Sequence, residues 1–374
     1  MAEKPPFLSA DGIEVLQSHV PLAPLTSLDL GGTARHLAEV ADTPAAVEAV
    51  RWARRYEEPV VVLGGGSNVV VADDGVRGLV LRAAFRGVEI NRDGDSVLVT
   101  AGAGEFWDEV VAEAVARGLA GIECLSGIPG LAGATPIQNI GAYGQEVGDV
   151  VERLRVLDLE SLEESVFSAA DCRFGYRSSL FRSCPGRYLV LDVTYRLRPG
   201  GAPTLAYEEL RRAMATHGSS PGVSDVREAV LDLRRSKSMV LDPADPNRRS
   251  AGSFFVNPVV DHDRLADVNR RAREARVLTG EDQVPWFDIG AGRSKVPAGW
   301  LIEKAGFHKG LLRGPVGISS AHALALVHHG GGTAAQLVAL AREIRDGVRQ
   351  TFGITLRPEP VFLGFDHENP LDAP

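Results

Sequence analysis

Apolar and polar positions alternate with two different periods along this chain, and the changes of period mark its elements. After Thr43, with Pro44 at the first helical position, apolar residues recur at helical spacing through AAVEAVRWARRY, which predicts a helix capped by Thr43. The apolar run PVVVL follows directly and reads as a strand, so the first unit is α/β; a second run, VVVAD, begins at Val69. The alternation in GVEINRDGDSVLVTAG predicts a hairpin turning at Asp93 and Gly94. The pattern EFWDEVVAEAVARG predicts a helix closed by Gly118. Strands are expected near RLRVLDLE and in the strongly alternating YLVLDVTYRL, and PGGAP marks an exit. Helices follow at SDVREAVLDLRRSK, DRLADVNRRAREA, PAGWLIEKAG and TAAQLVALAREIRDGVRQTF, before a final strand, GITLRPEPVFLG. The fold class is α+β.

One stretch fits neither period. Residues 127–144, GIPGLAGATPIQNIGAYG, hold five glycines and two prolines and no charged side chain. Gly and Pro leave too few compatible φ/ψ states for a regular helix or strand. The stretch is too apolar for a solvated linker, so it reads as an irregular loop held inside the protein. There, bare backbone N–H groups can close on a flat or phosphorylated ligand, although a tight buried crossing has the same composition. The loop GGGSN, residues 64–68, stands at a strand end with the close-approach backbone and short donors that a pyrophosphate needs. A plain tight turn looks the same.

Composition narrows the classes. The chain has 374 residues, 44% hydrophobic and 24% charged, enough for two or three cores. No apolar run approaches a membrane span, and the opening MAEKPPFLSADG lacks an apolar signal core, so the cytoplasm is the expected compartment. Cys124, Cys172 and Cys184 form neither a disulfide framework nor a CxxC motif, and reduced thiols are expected. A net charge of −9 argues against a general nucleic-acid binder. An anionic ligand must then be met by local cations, which concentrate late: Arg234, Arg235 and Lys237, then Arg248 and Arg249, then Arg293 and Lys295. The ordinary meaning of any one such cluster is a solvated helix face.

Two other patterns are read as structural. Gly330, Gly332 and Ala335 fit the G-x-G-x-x-A dinucleotide variant, but no second strand ending in Asp or Glu follows at ribose-holding spacing, so a strand-to-helix turn is expected. His328 and His329 have no acidic or Cys partner at ligand spacing, and no metal site is expected.

Taken in order, GGGSN, the Gly-rich loop, RFGYRSS, SAGSFFVNP and LRPEP resemble the UDP-N-acetylenolpyruvoylglucosamine reductase family, flavoenzymes of bacterial cell-wall precursor synthesis. The resemblance runs from about residue 25 to 364. It implies a vanillyl-alcohol-oxidase-type FAD-binding region of two α/β subdomains followed by a C-terminal α/β substrate-binding domain. The boundaries expected are an extension at 1–22, FAD-binding subdomains at 23–82 and 83–222, and a substrate domain at 223–374 whose final strand returns Glu359 to the flavin. The resemblance assigns FAD contacts to Gly64, Gly65, Gly66, Ser67 and Asn68, and to Ile128, Gly130, Thr135, Pro136, Gln138, Asn139, Gly141 and Tyr143. Neither loop holds a histidine of the kind that links flavin covalently in some relatives, so the FAD is expected to be dissociable.

In the family, NADPH reduces the flavin and a hydride passes to the β-carbon of an enolpyruvyl group, leaving an α-carbon that needs a proton and an enolate that needs charge stabilisation. Ser253 in AGSFF matches the serine that delivers the proton, and Arg177 in FGYRSS and Glu359 in LRPEP match the pair beside the substrate carboxylate and enolate. Tyr207 in LAYEEL matches the tyrosine with which the longer, type I form closes over the UDP-sugar. Arg234, Lys237, Asn257, Lys295 and Lys304 are the matching candidates for diphosphate or uridine contacts. Lys304 stands where some members carry glutamine, and Pro360 and Val361 follow Glu359 where many have Val-Arg. The expected partners are UDP-N-acetylglucosamine enolpyruvate and NADPH, met by a monomer that binds neither nucleic acid nor membrane. A flavin oxidase would keep the FAD loops but have no use for SAGSFF or Tyr207. A nucleotide-sugar-binding protein without chemistry would have no use for Ser253, Arg177 and Glu359 together.

Overall fold

A computed structural model describes residues 16–215 and 221–372. Most of the expected extension at 1–22 lies outside them; within its described end, the strand Gln17–Pro21 is the edge of a sheet. The chain forms two compact units. The first comprises residues 16–20, Thr33–Gly66 and Val76–Leu241; the second comprises Pro21–Gly32, Ser67–Gly75 and residues 242–372.

Two sheets build the first unit. In one, strands Thr33–Val40 and Val60–Leu63 lie on either side of Val76–Ala83, all parallel, and the helix Thr43–Arg55 buries Ala46, Ala49, Val50 and Ala53 in the same core. Parallel strands need such a crossover helix. Its cap is Asp42, one residue before the expected Thr43: the Asp42 carboxylate accepts the Ala45 N–H at 2.8 Å. The other sheet is antiparallel and centred on Tyr188–Pro199, which pairs with Val151–Asp158 and Ser96–Gly102. The hairpin register pairs Asp93 with Ser96, so its turn residues are Gly94, at φ +60°, and Asp95, one position beyond the expected pair. Trp107 and Tyr195 are fully buried in the core that the two sheets share.

Two expected boundaries move. The helix Val223–Ser236 belongs to the first unit and not to the C-terminal domain, because Val226, Ala229 and Val230 pack with Cys124, Leu210 and Met214. Residues 21–32 and 67–75 belong to the second unit, because Val69–Val71 pairs in parallel with Val361–Leu363 and because Leu28, Leu30 and Val70 enter the second core. The final strand is only Val361–Leu363 and not all of 353–364, since Pro358 and Pro360 cannot donate to a ladder.

The second unit is otherwise built from an antiparallel sheet ordered Ser250–Ser253, Ala325–His328, Val316–Ile318 and Leu312–Arg313, a three-stranded sheet, and three helices, His262–Glu274, Ala298–Lys304 and Ala334–Phe352. The Gly-rich turn before Ala334–Phe352 is structural, as its spacing implied. The carboxylate of Asp73 accepts the N–H groups of Ala334 and Ala335 at 2.7 and 2.9 Å, taking the place an incoming phosphate would need. His328 serves the same turn: its Nε2 accepts the Gly332 N–H at 3.0 Å. Burial first, and then nearby Arg249, hold that imidazole below its ordinary pKa, against the opposing hydrogen bond to the Leu28 carbonyl.

Candidate active site

In the first unit the two Gly-rich loops pack backbone against backbone. A Cβ on Gly65 would stand 2.8 Å from the Gly130 Cα, and one on Gly64 would stand 3.3 Å from the Ala134 Cβ. The glycine at 65 is therefore required by the neighbouring loop before any ligand is considered. Gly66 is left-handed at φ +65°, and the amides of Gly65 and Gly66 donate to no group among the described residues. Unclaimed amides of glycines at a strand end fit a dinucleotide pyrophosphate.

Hydrogen bonds from below fix the long loop. The Asp108 carboxylate accepts the Gly127 N–H at 2.6 Å and a two-pronged bond from Arg227 at 2.7 and 2.9 Å. Burial pushes the Asp108 pKa up, but these hydrogen bonds outweigh it and hold the carboxyl below its usual range. Thr135 Oγ1 donates to the Ala132 carbonyl at 2.8 Å. Asn139, left-handed at φ +49°, accepts the Gly148 N–H through Oδ1 at 2.8 Å and donates through Nδ2 to Glu146 and to the Gly175 carbonyl. Both residues were expected to contact FAD. Their side chains are 2% exposed and are used inside the loop, so what they offer a ligand is main chain. Gln138 Oε1 accepts a bond from Arg182, while Ile128, Gly130 and Gly141 are partly exposed and Pro136 is buried.

Arg177 is tied to this loop. Its guanidinium donates to the carbonyls of Asn139 at 3.3 Å and Gly141 at 2.9 Å and lies 5.6 Å from the Tyr176 ring. Its φ of +50° is costly for a non-glycine residue, by about 1–3 kcal/mol, and such strain persists only where surrounding contacts over-determine it.

Tyr143, expected with the cofactor contacts, places its ring beside two substrate candidates. Its ring meets Tyr207 edge-on at 5.7 Å and lies 5.6 Å below the Lys237 ammonium. Burial pushes the Tyr143 hydroxyl up to about 12. Arg234 donates to the Met239 carbonyl at 2.7 Å, but its buried Nε has no hydrogen-bond partner among the described residues. Desolvation lowers the Arg234 pKa to about 10, which leaves it charged near neutral pH. Tyr143, Tyr207, Arg234 and Lys237 thus make a cationic, aromatic-walled cluster within one unit.

Ser253 and Glu359 belong to the second unit. Between Ser250 and Ser253 the pairing with Ala325–His328 slips by one residue, a bulge made possible by Gly252 at φ +73°. The bulge re-aims Ser253, whose hydroxyl makes no hydrogen bond with any described residue. Glu359 is held alongside: its N–H donates to the Phe254 carbonyl at 2.9 Å, and Phe255 bridges Pro358. Asn68, expected in the pyrophosphate loop, braces this segment. Its Nδ2 donates to the Glu359 carbonyl at 3.3 Å, and its own carbonyl accepts the Val361 N–H at 3.0 Å. Ser67 is half-buried, and its carbonyl accepts a bond from Ser27.

Asn257 and Lys295 gather at one end of the helix Ala298–Lys304. Asn257 Oδ1 accepts the Ala298 N–H at 2.8 Å, and Lys295 is in register with Val259 and Phe287. Lys304 is exposed at the other end of that helix, roughly 10 Å along its axis. The structure does not bring Lys304 together with Asn257 and Lys295.

Two family models match the chain, one described as FAD binding domain over residues 34–161 and one as UDP-N-acetylenolpyruvoylglucosamine reductase, C-terminal domain, over residues 243–363. The UDP-N-acetylenolpyruvoylglucosamine reductase of Thermobifida fusca is 49% identical over 349 residues, covering 92% of this chain and 97% of that protein. The chain belongs to the UDP-N-acetylenolpyruvoylglucosamine reductase family. The reductase of Nocardia farcinica is also 49% identical, over 96% of this chain and 92% of its own. The crystal structure of the reductase from Thermus caldophilus is similar in fold, with a TM-score of 0.63 at 24% identity, covering 93% of this chain and all of that one.

Three acids that frame these candidate residues were not picked out by the sequence. Asp108 and Glu123 fasten the start of the long loop, and Glu209 holds Lys237. Asp108 lies within the helical pattern EFWDEVVAEAVARG, and no motif sets Glu123 or Glu209 apart.

Proposed function

We propose that Ser253, Arg177 and Glu359 carry out the chemistry of this enzyme. The chain is an FAD-dependent NADPH oxidoreductase that reduces the enolpyruvyl group of UDP-N-acetylglucosamine enolpyruvate to give UDP-N-acetylmuramate for peptidoglycan synthesis. When bound, the flavin supplies hydride transfer between NADPH and the enolpyruvyl β-carbon. The amides of Gly65 and Gly66, with the main chain of residues 127–144, would hold it. Arg177, with two of its nitrogens already aimed at carbonyls of the long loop, presents its planar fork to the substrate carboxylate. The Ser253 hydroxyl delivers a proton to the α-carbon, and the Glu359 carboxyl faces the developing enolate oxygen.

The observation that carries this reading is the pairing in the second unit. The Glu359 N–H bond to Phe254 sets the carboxylate-bearing segment beside the bulge that aims an uncommitted serine hydroxyl. Tyr207, Arg234, Lys237, Asn257 and Lys295 bind the UDP moiety in this account. The enzyme acts as a cytoplasmic monomer, meeting NADPH and the UDP-sugar in turn. In this account the first unit is the FAD-binding region and the second, mostly the chain from 242 onward, is the substrate domain. No helix among the described residues is long and apolar enough to cross a membrane.

Tyr207 tests the binding half of the account. It is exposed, caps no backbone group with its side chain, and touches Tyr143 only by its ring edge, so Tyr207→Phe leaves the fold intact. Steady-state kinetics should show a raised KM for the UDP-sugar with kcat little changed. An unchanged KM with a collapsed kcat would place Tyr207 in the chemical step.

A further inference from the structure

The Lys237 ammonium already meets a carboxylate within its own unit. Its Nζ lies 2.5 Å from Glu209 Oε2, on the same side as the Tyr143 ring 5.6 Å away. Glu209 stands in the first turn of the helix Glu208–Met214, which Tyr207 precedes as its N-cap residue. Lys237 is the C-cap residue of the helix Val223–Ser236. The ion pair therefore ties the Tyr207 end of one helix to the C-terminal end of the next. Helix ends favour both charges where they are, acid at the first turn and base at the last, so neither needs the other to be accommodated. Arg234 adds a second cation one turn before Lys237, with its Nε unpaired among the described residues. The cluster thus holds more positive charge than Glu209 neutralises.

We infer that Glu209 is a positioning residue that acts through Lys237, a resident counter-ion which keeps the ammonium extended over the Tyr143 ring and which an incoming diphosphate displaces. The inference rests on reading Tyr207, Arg234 and Lys237 as the diphosphate subsite. The carboxylate has two effects on that ligand. It pre-positions Lys237, which lowers the ordering cost of binding, and it competes for Lys237, which weakens binding. The ring under the ammonium and the helix end behind it still restrict Lys237 when the carboxylate is gone, so competition is the larger effect. Both partners are partly exposed, with side chains 29% and 40% accessible, and an ion pair of that kind is worth roughly a two- to fivefold change in affinity.

The test is calorimetric titration of the FAD-loaded enzyme with UDP, in wild type, Glu209→Gln, Lys237→Met and the double variant, at low and high salt. Glu209→Gln should bind UDP about two- to fivefold more tightly than wild type. The gain should disappear in the Lys237→Met background and shrink at high salt. A brace that only held the Tyr207 segment in place would weaken UDP binding when removed and would not depend on Lys237. Equal or weaker binding by Glu209→Gln, with wild-type binding intact, overturns the inference. Failure of the wild type to bind UDP, or an affinity untouched by Lys237→Met, overturns the diphosphate reading on which it stands.

Discussion

Ser253→Ala should split the catalytic cycle. Bleaching of the bound flavin by NADPH is expected near the wild-type rate, because that half-reaction takes no proton from the serine. Return of the flavin colour on adding the enolpyruvyl substrate should slow by about 10²- to 10⁴-fold, the usual loss when a positioned general acid is removed. The substitution is mild for the fold, since the hydroxyl holds no described group and the strand pairing is through main chain. Ser253→Cys, with an S–H proton in nearly the same place, should recover part of the rate. Stopped-flow absorbance reads both halves. Equal slowing of both would make Ser253 a structural contact, and slowing of neither would move the proton donor elsewhere.

Glu123→Ala should cost stability out of proportion to one exposed-looking acid in a sequence. The side chain is fully buried and accepts three hydrogen bonds, from the Gly121 N–H at 2.7 Å and from Gln145 Nε2 and the Thr204 N–H at 2.8 Å each. Gln145 in turn accepts the Cys124 N–H, and the Cys124 thiol, which burial pushes well above its ordinary pKa, donates to the Thr204 carbonyl. This network clamps the segment leading to Tyr207 against the start of the long loop. Removing the carboxylate strands three donors, each worth roughly 1–3 kcal/mol when buried without a partner. A loss of about 3 kcal/mol or more follows, and a thermal midpoint lower by roughly 5–10 °C. Glu123→Gln should be milder, because its amide oxygen can keep the Gln145 and Thr204 bonds made to Oε1 while its N–H₂ faces only the Gly121 donor. Calorimetry of the FAD-loaded variants is the check, and a midpoint within about 1 °C of wild type would remove Glu123 from the frame of the site.

What the sequence revealed and what it hid have separate physical causes. Helices and strands were readable because each buries one face, as in AAVEAVRWARRY and YLVLDVTYRL, and those periods survive folding. The long loop was readable from glycine and proline alone, but the division of labour inside it was not. Thr135 and Asn139 look like ligand donors in sequence, yet their partners are Ala132, Glu146, Gly148 and Gly175, some fixed only when distant segments meet. Asn68 likewise reads as part of a phosphate loop and works as a brace for a segment 291 residues away. The domain boundaries moved for the same reason: nothing local tells Val69–Val71 that its partner strand is Val361–Leu363. The catalytic candidates were legible only through the order of the motifs, since a lone Ser, Arg or Glu has a structural reading that a single sequence cannot displace.

The central claim is that electrons from NADPH leave this enzyme through the enolpyruvyl group. The most direct measurement is anaerobic: reduce the bound FAD with one equivalent of NADPH, then mix separately with UDP-N-acetylglucosamine enolpyruvate and with oxygenated buffer, following the flavin absorbance. The account predicts rapid reoxidation by the enolpyruvyl substrate, stoichiometric formation of UDP-N-acetylmuramate, and slow reoxidation by oxygen. Rapid reoxidation by oxygen with none by the enolpyruvyl substrate would contradict it and make the protein a flavin oxidase.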